Sequence, residues 1–234
     1  MISTLLNKIR RRLARRSPKS FIKYLREQGI KIGEGTYFQN PKDTLVDVSR
    51  PSLVSIGENC FFNKDFTLLA HDWVCNVFRN MGLGFLNSTG KVSIGNNVSF
   101  GQNVMVLKGV TIGDNCFIGA NSVVSKDIPS NSVAVGSPAK VIMSIEDYFQ
   151  KRMPLAEQEA YEHARSISER FNRRPVPADF KEEFIWFVSG NEVENYPEIP
   201  IRFQLGRYYD TYVKTHKAKY SSFDEFLKAA GVEQ

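Results

Sequence analysis

KVSIGNNVSFGQNVMVLKGVTIGDNCFIGANSVVSKDI, residues 91–128, decides the fold. Aliphatic or aromatic residues recur every six positions through it, at Ile94, Phe100, Val106, Ile112, Ile118 and Val124. An amphipathic helix repeats near 3.6 and a half-buried strand near 2, so a strict period of six fits neither. It fits a coil of three short flat strands, one hexapeptide to a face, with each six-spaced side chain pointing inward. Glycine follows four of these positions (Gly95, Gly101, Gly113, Gly119), which reads as backbone freedom at the corners. The fourth position after each is again small or apolar: Val98, Val104, Val110, Cys116, Ser122 and Ile128.

The same phase runs back from Leu68 through Phe62 and Ile56, and more faintly to Phe38 and Ile32. Thr44 and Arg50 interrupt it, which predicts a distorted coil or an excursion between 40 and 52. Leu68 and Ile94 stand 26 residues apart, not a multiple of six. An irregular loop must therefore leave the coil between residues 72 and 91, and HDWVCNVFRNMGLGFLNSTG (71–90) has a loop's Gly and Asn content. Function concentrates in loops that leave a rigid scaffold. This one opens on His71, the only histidine of the repeats.

Both ends read as helix. In residues 1–29, Leu5, Leu6, Ile9 and Leu13 form an apolar stripe, Pro18 interrupts, and Phe21, Ile22 and Leu25 resume it before Gly29. After residue 143 the rhythm of six stops. Ala160, Ala164, Ile167 and Phe171 take helical spacing, and Ser222 with Glu225 reads as a capping box for a terminal helix stopped by Gly231. The organisation is thus a basic helical segment at 1–29, an all-β coil domain at 30–143 with its loop at 72–91, and an α-helical appendage at 144–234.

Composition narrows the function. Nine basic side chains and no acidic one fall in residues 1–26, leaving 22 of the 31 basic residues to face all 25 acidic ones. The positive charge is local to the N-terminus. It reads either as a helix packed on the first coil with its arginines in water, or as a basic amphipathic segment touching an anionic membrane through residues 1–26. No nucleic-acid recognition motif accompanies it. No apolar run would span a bilayer or serve as a signal peptide, so the expected location is the cytoplasm, peripheral at the inner membrane face if that contact is made. Cys60 and Cys116 read as small buried side chains, and Cys75 receives no role.

KVSIGNNVSFGQNVMVLKGVTIGDNCFIGANSVVSKDIPSNSVAVGSPAKVI resembles the terminal coils and exit loop of the hexapeptide-repeat acetyltransferases. SRPSLVSIGENC, LLAHDW and SSFDEFLKAAGV are similar to the branch found in capsule, lipopolysaccharide and colanic-acid gene clusters. The resemblance covers residues 30–143 well and the flanks weakly. It implies a left-handed parallel β-helix, a homotrimer with active sites between subunits, and acetyl-CoA as co-substrate without a metal. It implies that His71 is the catalytic base, that Gly101, Ala120 and Ser125 line the pantetheine groove, and that Lys126 and Lys140 stand near the phosphates. Many relatives carry tryptophan where Ser99 stands, a departure that touches the wall of the groove and not the chemistry.

Acetyl transfer from a thioester to a hydroxyl needs a base of near-neutral pKa, a role suited to imidazole. Asp72 is the candidate to orient the ring, although neighbours on a strand point to opposite sides. Trp73 and Phe78 are candidates to stack on a sugar. The expected activity is O-acetylation of a sugar or polysaccharide precursor, with N-acetylation of an amino sugar or nucleotide-linked amino sugar as the alternative. A metal site of the γ-carbonic anhydrase kind needs about three converging histidines. His163 and His216 lie in the appendage, which leaves His71 alone.

Overall fold

The computed structural model describes residues 9–232, so Leu5 and Leu6 of the N-terminal stripe lie outside it. The chain divides between Tyr148 and Phe149 into two compact units.

In the first unit, helix α1 (Pro18–Glu27) is capped by Ser17, whose Oγ accepts from the Ser20 N–H, and Pro18 takes the first helical position. The first coil then holds β1 (Lys31–Ile32), β2 (Tyr37–Phe38) and β3 (Leu45–Val46), and the second β4 (Val54–Ile56), β5 (Phe61–Phe62) and β6 (Thr67–Leu68). A loop carrying the short helix α2 (Cys75–Asn80) follows. The third coil is β7 (Val92–Ile94), β8 (Ser99–Phe100) and β9 (Met105–Val106), and the fourth β10 (Thr111–Ile112), β11 (Phe117–Ile118) and β12 (Val123–Val124). Strands stack in three parallel sheets, β1-β4-β7-β10, β2-β5-β8-β11 and β3-β6-β9-β12. β13 (Ser132–Val135) extends the second sheet and β14 (Lys140–Ser144) returns antiparallel to it. This is the parallel β-helix that the period of six implies, left-handed as the resemblance implies, with helices at both ends.

Every six-spaced residue points inward and is buried. Phe38, Phe62 and Phe100 stack ring on ring through the second sheet at 4.4 and 4.8 Å. The break at Thr44 has a simple origin: the first coil inserts two residues before its third inward side chain, which is Val46 and not Thr44. Thr44 is buried beside it, its hydroxyl donating to the Asn40 carbonyl at 2.7 Å. A second insertion, the turn at Pro51–Leu53, delays the next inward residue to Ile56.

The corners correct one expectation. The glycines after the inward residues do not supply left-handed backbone. Asparagines do, with Asn59, Asn97, Asn115 and Asn131 at one corner and Asn103 and Asn121 at the next, all at φ between 55° and 61°. Asn is the non-glycine residue that visits this region at least cost, because its side chain finds local hydrogen bonds. Here the bonds form a ladder: Asn97 Nδ2 donates to Asn115 Oδ1 and Asn115 Nδ2 to Asn131 Oδ1, each at 2.9 Å. The glycines are required by close approach between coils. A Cβ on Gly101 would stand 2.5 Å from the Ala120 nitrogen.

The second unit is helical. α3 (Ile145–Phe171) begins at the end of the first unit and buries Ala160, Ala164 and Ile167, while Phe171 of the expected stripe is exposed. These pack with Phe180, Phe184, Phe187, Tyr212 and Phe226 in a core of their own. α4 (Ile201–Leu205), α5 (Tyr209–Thr215) and α6 (Phe223–Ala229) complete it. Ser222 caps α6 as expected, but the Glu225 carboxylate reaches Ser221 (N–H 2.7 Å, hydroxyl 2.6 Å) and so closes the box one residue early. Gly231 ends it at φ 78°. No helix among the described residues is long and apolar enough to cross a membrane.

Asn115→Ala keeps a Cβ in left-handed backbone and removes the ladder, whereas Asn115→Gly removes only the ladder, so glycine is the milder change by about 1 kcal/mol in chemical denaturation. In the second unit, burial pushes the Glu157 carboxyl up, but bonds from Lys219, Tyr161 and Tyr220 outweigh it and hold the group at about 2. A depressed carboxyl stabilises the fold above its unfolded value and loses that contribution as pH falls through the folded one. Wild type is therefore expected to lose melting temperature between pH 4.5 and 2 more steeply than Glu157→Gln, followed by Trp186 fluorescence in a Trp73→Phe background.

Candidate active site

Two of the three corners are built from the Asn ladders. The third, between the sheet of β3-β6-β9-β12 and the next turn of the first sheet, is interrupted instead. In the first coil it carries residues 47–53, and in the second it releases the loop, whose neck is closed by a His71–Thr89 bridge and by Gly90 N–H donating to the Ala70 carbonyl at 3.0 Å.

His71 sits at that neck, with its side chain 23% exposed. Its Nδ1 lies 2.5 Å from Asp47 Oδ2, and the Asp47 side chain is only 6% exposed. Asp47 is fully engaged: Oδ2 also accepts the Ala70 N–H at 3.1 Å, and Oδ1 accepts the Ser49 N–H at 2.9 Å and hydroxyl at 2.6 Å. Burial alone pushes this carboxyl up. The bonds from Ser49, His71 and Ala70 together overcome that and hold it below the usual carboxylate range. An ionised carboxylate only accepts, so the network assigns the ring proton to Nδ1 and leaves the Nε2 lone pair free to take a proton.

Asp72 is not part of this pair. Its carboxylate accepts the Val74 N–H at 3.0 Å and meets Lys108 Nζ at 3.1 Å, contacts that hold it below its ordinary value, the Val74 N–H foremost. It pins the neck of the loop to the third coil, while the carboxylate on the ring is Asp47. That residue was hidden by the lost phase of the first coil. Once the coil is re-registered on Val46, Asp47 falls beneath Leu69, two residues from His71, and the Asp-x-Ser spacing marks an Asx turn aimed at the corner.

The other expected residues divide between two corners. Ser125 and Lys126 are exposed on the same corner as His71, two coils further on. That is about 10 Å at the spacing of stacked strands. Gly101 and Ala120 stack at the opposite edge of the same sheet. The exit turn covers that corner, with Gly136 N–H donating to the buried Ser122 hydroxyl and Ala139 N–H to the Val123 carbonyl. Lys140 follows it, exposed. Trp73 is 69% exposed with its ring 6.1 Å from the imidazole, and Phe78 is half-buried on α2. Among the described residues no group of three or more His, Cys, Asp or Glu gathers to hold a metal.

The family description "Bacterial transferase hexapeptide (six repeats)" matches residues 91–126. The galactoside O-acetyltransferase of Escherichia coli is 34% identical over 142 residues, covering 53% of this chain and 68% of that protein. The chain belongs to the hexapeptide-repeat acetyltransferases. Among solved structures, a maltose O-acetyltransferase from Clostridium difficile is 28% identical over 58% of this chain and 83% of its own, with a TM-score of 0.42. A galactoside acetyltransferase in complex with coenzyme A is 27% identical over 62% of this chain and 82% of its own, with a TM-score of 0.37.

For this acetyltransferase the Asp47 contact has a measurable consequence. Asp47→Asn removes the charge that fixes the tautomer and is expected to lower kcat by on the order of 10²-fold or more. Asp47→Ala is expected to cost about 1–3 kcal/mol of stability as well, because the Ala70 and Ser49 N–H groups lose their acceptor. An Asp47→Asn enzyme with unchanged kcat would remove Asp47 from the mechanism.

Proposed function

We propose that the chain transfers the acetyl group of acetyl-CoA to a hydroxyl of a sugar or polysaccharide precursor, in the cytoplasm, with His71 as general base. The 2.5 Å contact of Asp47 with His71 Nδ1 carries the reading, because it leaves Nε2 as the acceptor on a partly exposed ring at the neck of the loop. The acceptor oxygen gives its proton to Nε2 as it bonds to the thioester carbon. Collapse of the tetrahedral intermediate breaks the carbon–sulfur bond, and the imidazolium returns the proton to the leaving sulfur. Asp47 stabilises the imidazolium between these steps. Trp73, beside the imidazole, offers its face to a sugar ring.

The separation of the groove residues bears on assembly. Ser125 and Lys126 share a corner with His71, while Gly101, Ala120 and Lys140 belong to the far edge of the same sheet. One acetyl-CoA is then cradled across a subunit boundary, by one chain's His71 corner and the next chain's Gly101–Ala120 corner. The exposed apolar side chains of the loop (Trp73, Val77, Met81, Leu83, Phe85, Leu86) support a neighbouring copy as their partner, in a homotrimer.

A screen of purified protein with acetyl-CoA against hydroxyl- and amino-sugars, reading released thiol, tests the reaction. His71→Ala is expected to lose on the order of 10²–10⁴ in rate while retaining CoA affinity. Turnover within tenfold of wild type would refute the assignment. Co-expressed His71→Ala and Ala120→Trp chains are expected to regain activity that neither has alone, and a monomer in light scattering would rule out the composite site.

A further inference from the structure

The apolar residues of the basic N-terminal segment divide into a buried set and an exposed set. On α1 the apolar stripe is spent inside the protein: Phe21 and Leu25 are buried against the first coil. Residues 9–14 form a separate helical turn whose apolar side chains face out, Ile9 at 47% and Leu13 at 44% exposure, with only Ala14 buried. This turn is anchored. Arg15 Nη1 donates to the Lys42 carbonyl at 2.6 Å, and its guanidinium lies over the Phe21 ring.

Around the outward Ile9 and Leu13 basic side chains outnumber acidic ones, and Glu27 is the acidic residue that lines a groove with them. Arg10 is neutralised by Glu27 at 2.7 Å and Arg26 by Glu34 at 2.8 Å. Arg11, Arg12, Arg16, Lys19, Lys23 and Lys42 have no carboxylate partner among the described residues. Arg11, Arg12 and Arg15 share with Lys42 and Leu45 a groove of about 530 Å³, in which Asp43 is the single acidic group. Leu45, on the adjoining edge of the first coil, is itself 40% exposed. Exposed leucine and isoleucine set among unpaired arginines match an anionic bilayer surface, which supplies phosphate outside and hydrocarbon beneath. A soluble anion would use only the arginines.

We infer that the surface formed by Ile9, Leu13, Arg11, Arg12, Arg16 and the Lys42–Leu45 edge docks this enzyme on an anionic lipid bilayer. The inference is independent of the reading of the His71 site. Each basic side chain near such a leaflet strengthens partitioning roughly fivefold.

Vesicle flotation of the full chain tests it, with phosphatidylcholine vesicles with and without phosphatidylglycerol. The chain is expected to float with the anionic vesicles only, and less as salt rises. Arg11→Gln/Arg12→Gln/Arg16→Gln is expected to weaken partitioning on the order of a hundredfold. Ile9→Ser/Leu13→Ser, which keeps every charge, is expected to float poorly too, with acetyl transfer to a soluble acceptor unchanged in both variants. Failure of the wild type to float at low salt would overturn the proposal. So would flotation of Ile9→Ser/Leu13→Ser equal to wild type, or complete release by inositol hexaphosphate at matched ionic strength, since either reduces the surface to a phosphate site.

Discussion

Asp47 and His71 are 24 residues apart in the chain and 2.5 Å apart in space because the first coil stacks on the second in register. Val46 opposes Leu68, and the Asp47 N–H donates to the Leu68 carbonyl at 3.0 Å. A slip of one residue would send Asp47 to the other face of its strand. The register is guarded by the inward residues of every coil, above all by the stacked Phe38, Phe62 and Phe100. Core packing far from the corner therefore sets the position of the proton.

A β-helix corner asks for backbone that L-residues resist. Two corners meet the demand with columns of Asn whose side chains bond one another from coil to coil, and beyond the first coil, where two residues are inserted before Val46, they stay regular. The third has no such ladder. It breaks twice, at residues 47–53 and at the loop beginning with His71, and the breaks lie on adjacent coils. The Asx turn of the first break presents a carboxylate to the histidine of the second. Lys108 on the third coil holds Asp72 and with it the neck of the loop, so the site occupies three successive coils at the corner without a ladder.

The period of six made the coil legible, and the 26-residue gap located the loop and its histidine without any structural information. What stayed hidden had local causes. Two residues inserted before Val46 cost the first coil its phase, and Asp47 went with it. Glycine and asparagine both recur with the repeat, and only the dihedral angles and the coil-to-coil distances show that Asn turns the corner while Gly admits the neighbouring coil. Asp72 was the expected orienter by adjacency in sequence. On a solenoid the relevant neighbours are a whole coil away. In the helical unit, spacing identified Ala160, Ala164 and Ile167 as buried but extended the stripe one position too far, to the exposed Phe171.

The proposed base role of His71 depends on which ring nitrogen carries the proton. Nitrogen-15 NMR of the protein labelled at histidine, with the His71 signals assigned by loss in His71→Gln, reports this directly. The neutral ring is expected to be protonated at Nδ1 and bare at Nε2, with the Nδ1 proton shifted downfield by its bond to Asp47 and that shift lost in Asp47→Asn. A neutral ring protonated at Nε2 would contradict the account, because no lone pair would then face the acceptor.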